Sequence, residues 1–161
     1  MPKFTNIPFQ FLKVVVKVIS AKDLAKTDII TDSDPYVLVY LRNYPMVKYR
    51  TKVVKNNLNP TWDQDFELDL VNQTSDILSL KVMDKDVLVD DEIGSLDIPL
   101  GQFGMFDIYE REFDLKPCNK KVKKAGKITL RIQVIPLGVA AWEGGQMAVQ
   151  FPGPPPDEEY L

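Results

Sequence analysis

In the stretch Leu12-Lys-Val-Val-Val-Lys-Val-Ile19, Leu12, Val14, Val16 and Val18 alternate with Lys13, Val15, Lys17 and Ile19. Side chains of a strand point to opposite faces in turn, so a period of two reads as a β-strand with one wet face. Far along the chain, Ile128, Leu130, Ile132 and Val134 alternate with Thr129, Arg131 and Gln133 in the same manner. Between these two runs lie further β-like segments: Tyr36 to Leu41, Met46 to Thr51, Trp62 to Leu70, Ile77 to Met83, Ile93 to Pro99 and Ile108 to Leu115. Segments rich in Asp, Asn, Pro and Gly, the residues of turns, separate them. No stretch of this body carries an amphipathic helical pattern. The expectation is an all-β chain of about eight strands folded as a two-sheet antiparallel sandwich.

Composition narrows what such a sandwich can do. The 161 residues suit one compact domain. Cys118 is the lone cysteine, which excludes an internal disulfide, and the residues after Met1 lack a leader's basic and apolar pattern, so secretion is not expected. These features point to the cytoplasm. Apolar runs such as Tyr36 to Leu41 fall far short of the roughly 20 residues of a spanning helix. Membrane contact is therefore expected to be peripheral. The absence of histidine removes Ser-His-Asp and Cys-His catalysis and most zinc sites. A hydrolase would have to use paired aspartates as acid and base, and nothing in the sequence indicates the cleft or raised pKa this needs. The expectation is that the chain is not an enzyme.

All 20 Lys and Arg lie before residue 136, against 19 acids in the same span, while the remainder holds Glu143, Asp157, Glu158 and Glu159 with no base. That remainder also holds nine of the 20 Gly and Pro residues and ends in Phe151-Pro-Gly-Pro-Pro-Pro-Asp-Glu-Glu-Tyr-Leu161. The chain thus divides into an extension over 1–10, a body over 11–135 and a Pro/Gly-rich acidic tail over 136–161.

Within the body the acids gather in two inter-strand loops. One is Lys26-Thr-Asp28-Ile-Ile-Thr-Asp32-Ser-Asp34-Pro-Tyr36; the other is Met83-Asp84-Lys-Asp86-Val-Leu-Val-Asp90-Asp91-Glu92-Ile-Gly94. Concentrated carboxylates repel unless a cation or water screens them. If both loops share one end of the sandwich, four to six carboxylates converge in a hard-oxygen cup suited to calcium, with its 6 to 8 oxygen ligands. The second loop lacks the sixth-position glycine and twelfth-position glutamate of an EF-hand. Any single Asp here serves equally well in a solvated Asx turn.

Successive motifs now stand in a recognisable order. They are Leu12 to Leu24, Asp28, Ser33-Asp-Pro-Tyr-Val37, Leu58-Asn-Pro-Thr-Trp-Asp-Gln-Asp-Phe66, Val82-Met-Asp-Lys-Asp86, Asp91-Glu-Ile-Gly94 and Ile98-Pro-Leu100. Over residues 11–135 the chain resembles a C2 domain. The resemblance implies an eight-stranded antiparallel Greek-key β-sandwich whose three loops at one edge bind two or more calcium ions and dock on phospholipid. Carried over, it assigns Asp28 and Asp34 from the first loop, and Asp84, the Lys85 backbone carbonyl and Asp86 from the third. The last acid of the third loop is Asp91 if counted back from Gly94, and Asp90 if counted forward from Asp84. The second loop offers Asn56 or Asn57 as an amide ligand.

Ile29 and Ile30 lie between the acids of the first loop, and Val87, Leu88 and Val89 between those of the third. They either pack within their loops or insert into acyl chains, where a buried aliphatic side chain contributes about 1.5–3 kcal/mol. Insertion predicts tolerance of neutral phosphatidylcholine as well as anionic lipid. Lys48, Arg50, Lys52 and Lys55 resemble the family's lysine-rich, headgroup-binding face, and alternation puts the first three on one side. Lys120-Lys-Val-Lys-Lys124 adds a second basic run. Each is an ordinary solvated segment or a site for anionic inositol lipid. Nucleic acid is not expected as a partner. In the tail, Pro152-Gly-Pro-Pro155 has the PxxP spacing of SH3 or WW ligands, and Trp142 and Phe151 are candidates to pack back on the sandwich. The rival to a calcium-switched membrane module is a calcium-insensitive protein-interaction domain that uses this tail.

Overall fold

The structure, a computed structural model, describes residues 11–27, 32–118, 120, 122–142 and 145. The strands are β1 (Leu12–Lys22), β2 (Pro35–Leu41), β3 (Tyr44–Arg50), β4 (Thr61–Asp69), β5 (Ile77–Asp84), β6 (Asp91–Pro99), β7 (Ile108–Asp114), β8 (Lys116–Pro117) and β9 (Lys127–Pro136). One sheet runs β4-β1-β9-β7 and the other β3-β2-β5-β6-β8, with every strand pair antiparallel. Nine strands among the described residues thus replace the eight expected, because the two-residue β8 is too short to show a period. No helix among the described residues is long and apolar enough to cross a membrane.

Alternation builds the core. Val14, Val16 and Val18 of β1, with Ile128, Leu130, Ile132 and Val134 of β9, face Val37, Val39 and Leu41 of β2 and Leu78, Leu80 and Val82 of β5. Trp62 enters the same core from β4. The expected wet face of the central strands is in fact covered: Val15, Gln133 and Ile135 are fully buried and Lys13 nearly so. Returning chain supplies the cover. Gln133 donates its amide to the Phe106 carbonyl (2.9 Å) and accepts the Trp142 backbone N–H (2.7 Å), so this polar side chain is buried with both ends satisfied. Arg131 lies 5.8 Å from the Trp142 ring centroid, which places Trp142 against the sandwich. Phe151 and the PxxP segment lie outside the described residues.

Antiparallel pairing sends the β1–β2, β3–β4, β5–β6 and β7–β9 connections to the same pole. Backbone hydrogen bonds stitch them together: Leu24 N–H to the Leu58 carbonyl, Ala25 to Ala125, Asn57 to Ser33 and Lys85 to Asp34, all at 3.0–3.1 Å. Gly126 permits the closest of these approaches. Its φ of +117° suits glycine, and a Cβ there would fall 2.8 Å from the carbonyl oxygens of Lys22 and Asp23.

Leu80 is fully buried at the centre of β5. Leu80→Ala is expected to cost about 2–5 kcal/mol in urea unfolding, whereas truncation of the exposed Met46 stays within about 0.5 kcal/mol.

Candidate functional site

The acidic loops meet where β2 begins and β5 ends, since Pro35 pairs with Asp84. Asp84 is 8% exposed and its carboxylate is held at both oxygens. Oδ1 accepts the Asp34 backbone N–H (2.8 Å), and Oδ2 accepts the Thr27 hydroxyl. The Asp34 carboxylate in turn accepts the Asn56 backbone N–H at 2.8 Å. Asn56 has a positive φ of 49°, a conformation that Asn tolerates better than most residues and that presents its amide to Asp34. These contacts join the first, second and third loops at two carboxylates.

Asp84 has a second acidic neighbour. Asp91, the first residue of β6, is its register partner, and residues directly opposite across an antiparallel pair project to the same face. Asp91 is exposed. Asp90, one residue earlier, turns elsewhere: Oδ1 accepts the Asp86 N–H (2.9 Å), and Oδ2 accepts the Tyr36 hydroxyl, with Lys85 Nζ 3.7 Å away. The Asp86 N–H first, and then the Tyr36 hydroxyl, hold the Asp90 carboxyl below the usual carboxylate range. Burial, followed by the bond to anionic Asp90, pushes the Tyr36 phenol up to about 12.

Several sequence expectations meet this geometry directly. Asp34, Asp84, Lys85, Asp86, Asp90 and Asp91 all lie at the loop pole, and Lys85 donates its backbone N–H to the Asp34 carbonyl (3.0 Å). Asp28, Ile29 and Ile30 lie outside the described residues. Among the described residues, no three acidic side chains already form a metal cage. Asn56 meets Asp34 through its backbone rather than its side-chain amide. Asn57 commits its amide oxygen to the Asn59 N–H (2.8 Å). Val87, Leu88 and Val89 are 96%, 92% and 74% exposed, so they do not pack into the loop.

The basic face is split. Lys48 lies 4.9 Å from the Tyr40 ring centroid and Arg50 5.7 Å from that of Tyr36, both on the outer side of the β3-β2 pair. β3 ends at Arg50, so Lys52 and Lys55 belong to the following connection, where strand alternation no longer applies. Lys52 donates its backbone N–H to the Gln64 side chain (2.6 Å) there. In the second basic run, Lys120, Lys123 and Lys124 are exposed, and Lys121 is outside the described residues.

Sequence reasoning passed over Thr27 and Tyr36, which donate to the acids, and Ser33, whose buried hydroxyl finds no hydrogen-bond partner among the described residues. Tyr36 carried a readable signal: it directly follows Asp34-Pro35, at the start of a strand whose next residue faces the core.

The fold and the loop pole together define a β-sandwich with an oxygen-rich rim. The C2 domain family profile matches residues 12–115, and the chain belongs to that family. It is 38% identical over 125 residues to a calcium-dependent lipid-binding protein of Arabidopsis thaliana, covering 74% of this chain and 24% of that protein. It is 33% identical over 137 residues to synaptotagmin-4 of the same plant, covering 83% of this chain and again 24% of the relative. The chain therefore spans about a quarter of the length of these relatives. Among solved structures, the first of the C2 domains of plant extended synaptotagmin 1 superposes with a TM-score of 0.72 at 23% identity, covering 81% of this chain and 98% of that one. The calcium-bound tandem C2 domains of extended synaptotagmin 2 give 0.64 at 26% identity, covering 80% and 47%.

The raised Tyr36 pKa has a definite pH signature. Its folded value lies above the ordinary phenol value of 10.0, so the stability it contributes is complete below about pH 10 and is lost as the pH rises to about 12. Tyrosinate absorbance is expected to show a step near pH 12 that Tyr36→Phe deletes; an unaltered last step in the variant contradicts the assignment.

Proposed function

We propose that this domain is a calcium-dependent phospholipid-binding module that attaches peripherally to membranes through its loop pole. The observation that carries this reading is the junction of Asp34 with Asp84, which brings carboxylates from separate loops to one rim beside three exposed apolar side chains. The donors fit calcium in kind: carboxylate and backbone oxygens, with no imidazole or thiolate among them. Asp28, Asp34, Asp84, Asp86 and the Lys85 carbonyl would hold the metal, two or more ions in all, with Asp91 or Asp90 completing the set. The names of the Arabidopsis lipid-binding relative and the calcium-bound neighbour support the same reading.

Bound calcium supplies positive charge at an acidic rim and open coordination positions for lipid phosphate. The chain's own residues do the rest. Val87, Leu88 and Val89 present aliphatic surface where the acids would approach the headgroups, with Ile29 and Ile30 as the matching candidates on the first loop. Insertion of such tips extends binding from anionic lipid to phosphatidylcholine, because hydrocarbon burial does not depend on headgroup charge. Lys48 and Arg50, with Lys52 and Lys55 in the adjoining connection, face anionic headgroups from the flank, each base near the surface contributing about 1 kcal/mol.

Cosedimentation with vesicles of phosphatidylcholine, with and without phosphatidylserine, in calcium and in chelator tests the reading. Pelleting only in calcium is expected, and Asp84→Asn is expected to weaken it at least about tenfold, the loss of one charged ligand. Binding that is indifferent to chelator, or absent throughout, overturns it in favour of a calcium-insensitive interaction domain. Leu88→Ala removes hydrocarbon worth about 2 kcal/mol when fully buried, so with unchanged calcium affinity it should weaken vesicle binding by up to about thirtyfold. Unchanged vesicle binding rejects tip insertion.

A further inference from the structure

The third loop carries Asp84, Lys85 and Asp86 at its start and three solvent-facing aliphatic side chains at its tip, so hydrocarbon burial cannot be what fixes its backbone. Asp90 closes the loop upon itself: its Oδ1 accepts the N–H of Asp86, four residues back. Its Oδ2 accepts the hydroxyl of Tyr36, which stands on a different strand. Tyr36 is well suited to anchor the loop. It is 5% exposed, its backbone pairs with Met83 in β5, and Arg50 covers its ring.

We propose that Tyr36 and Asp90 form a strut for the third loop, with Tyr36 a positioning residue and Asp90 a hydrogen-bond hub that pre-sets Asp86, rather than a metal ligand. Both Asp90 oxygens are turned to donors of the protein, as those of Asp84 are, but beside Asp90 the Lys85 ammonium also supplies a positive charge that an incoming cation would have to displace. Asp91 is exposed and is the register partner of Asp84, which leaves it as the acid able to serve with Asp84 and Asp86. Pre-setting matters because a loop already ordered loses less conformational freedom when it binds.

The strut is made of protein groups alone and is tested without metal. Amide hydrogen exchange of the full chain is measured by NMR in chelator. In Tyr36→Phe, the Asp86 amide is expected to lose about tenfold in protection, the scale of one hydrogen bond to a charged group, while the Val37 and Val39 amides of β2 keep theirs. Asp90→Ala should give the same loss, and the double variant no more than either single one, since both break one chain of bonds. Asp90→Asn retains an acceptor oxygen and is expected to restore most of the protection. Unchanged Asp86 protection in Tyr36→Phe, or additive losses in the double variant, overturns the proposal.

A second arm rests on the calcium reading above. Calorimetric titration should show calcium affinity falling several-fold in Tyr36→Phe, and tighter binding in that variant would overturn the strut. Failure of the unaltered protein to bind calcium rejects the calcium reading alone, and the chelator measurements then decide the strut.

Discussion

Like charges brought together on neighbouring loops repel, and the loop pole rests on how that repulsion is answered within the chain. Asp84, almost fully buried, is stabilised by the Thr27 hydroxyl and the Asp34 backbone N–H, and the Asp34 carboxylate by the Asn56 N–H. Hydrogen bonds to an ionised carboxylate are among the stronger ones in proteins, and these cross between loops rather than running within one. The connections are therefore tied together where the acids draw donors from neighbouring loops. The same residues that create the electrostatic problem supply the geometry that contains it.

The sandwich beneath makes this arrangement possible. Antiparallel strands of similar length deliver the ends of β1, β3, β5 and β7 to one level, and the interdigitated aliphatic core keeps that level rigid. Loops that share a rigid base need little further ordering to face one another. The acidic pole is thus supported from below by packing and from the sides by main-chain bonds such as Leu24 to Leu58 and Ala25 to Ala125.

Much of this was legible in the residues, and the omissions have physical causes. Alternation located eight of the nine strands to within a few residues, because a half-buried strand imprints its period on the sequence. It misjudged the outer face of β1 and β9, since no local period reports that chain around Phe106 and Trp142 returns to bind Gln133, the register partner of the buried Val15. It also carried Lys52 onto a strand that ends at Arg50. Aspartate clustering pointed to this pole, while counting from Gly94 or from Asp84 left Asp91 and Asp90 both as candidates. Their surroundings differ through a contact between Tyr36 and Asp90, 54 positions apart, and through the register that sets Asp91 opposite Asp84, neither of which spacing reports.

The pairing of Leu12 with Pro136 has a consequence for architecture. The first and last strands of the sandwich lie side by side, and the chain enters and leaves them at the pole opposite the acidic rim. β1, with eleven residues, spans about 35 Å at the usual strand rise. A domain standing on its loops would act as a fixed-height pedestal. Whatever protein adjoins Leu12 or Pro136 would be carried a full strand length above the surface, both attachment points side by side, set off from the lipid by the body of the sandwich.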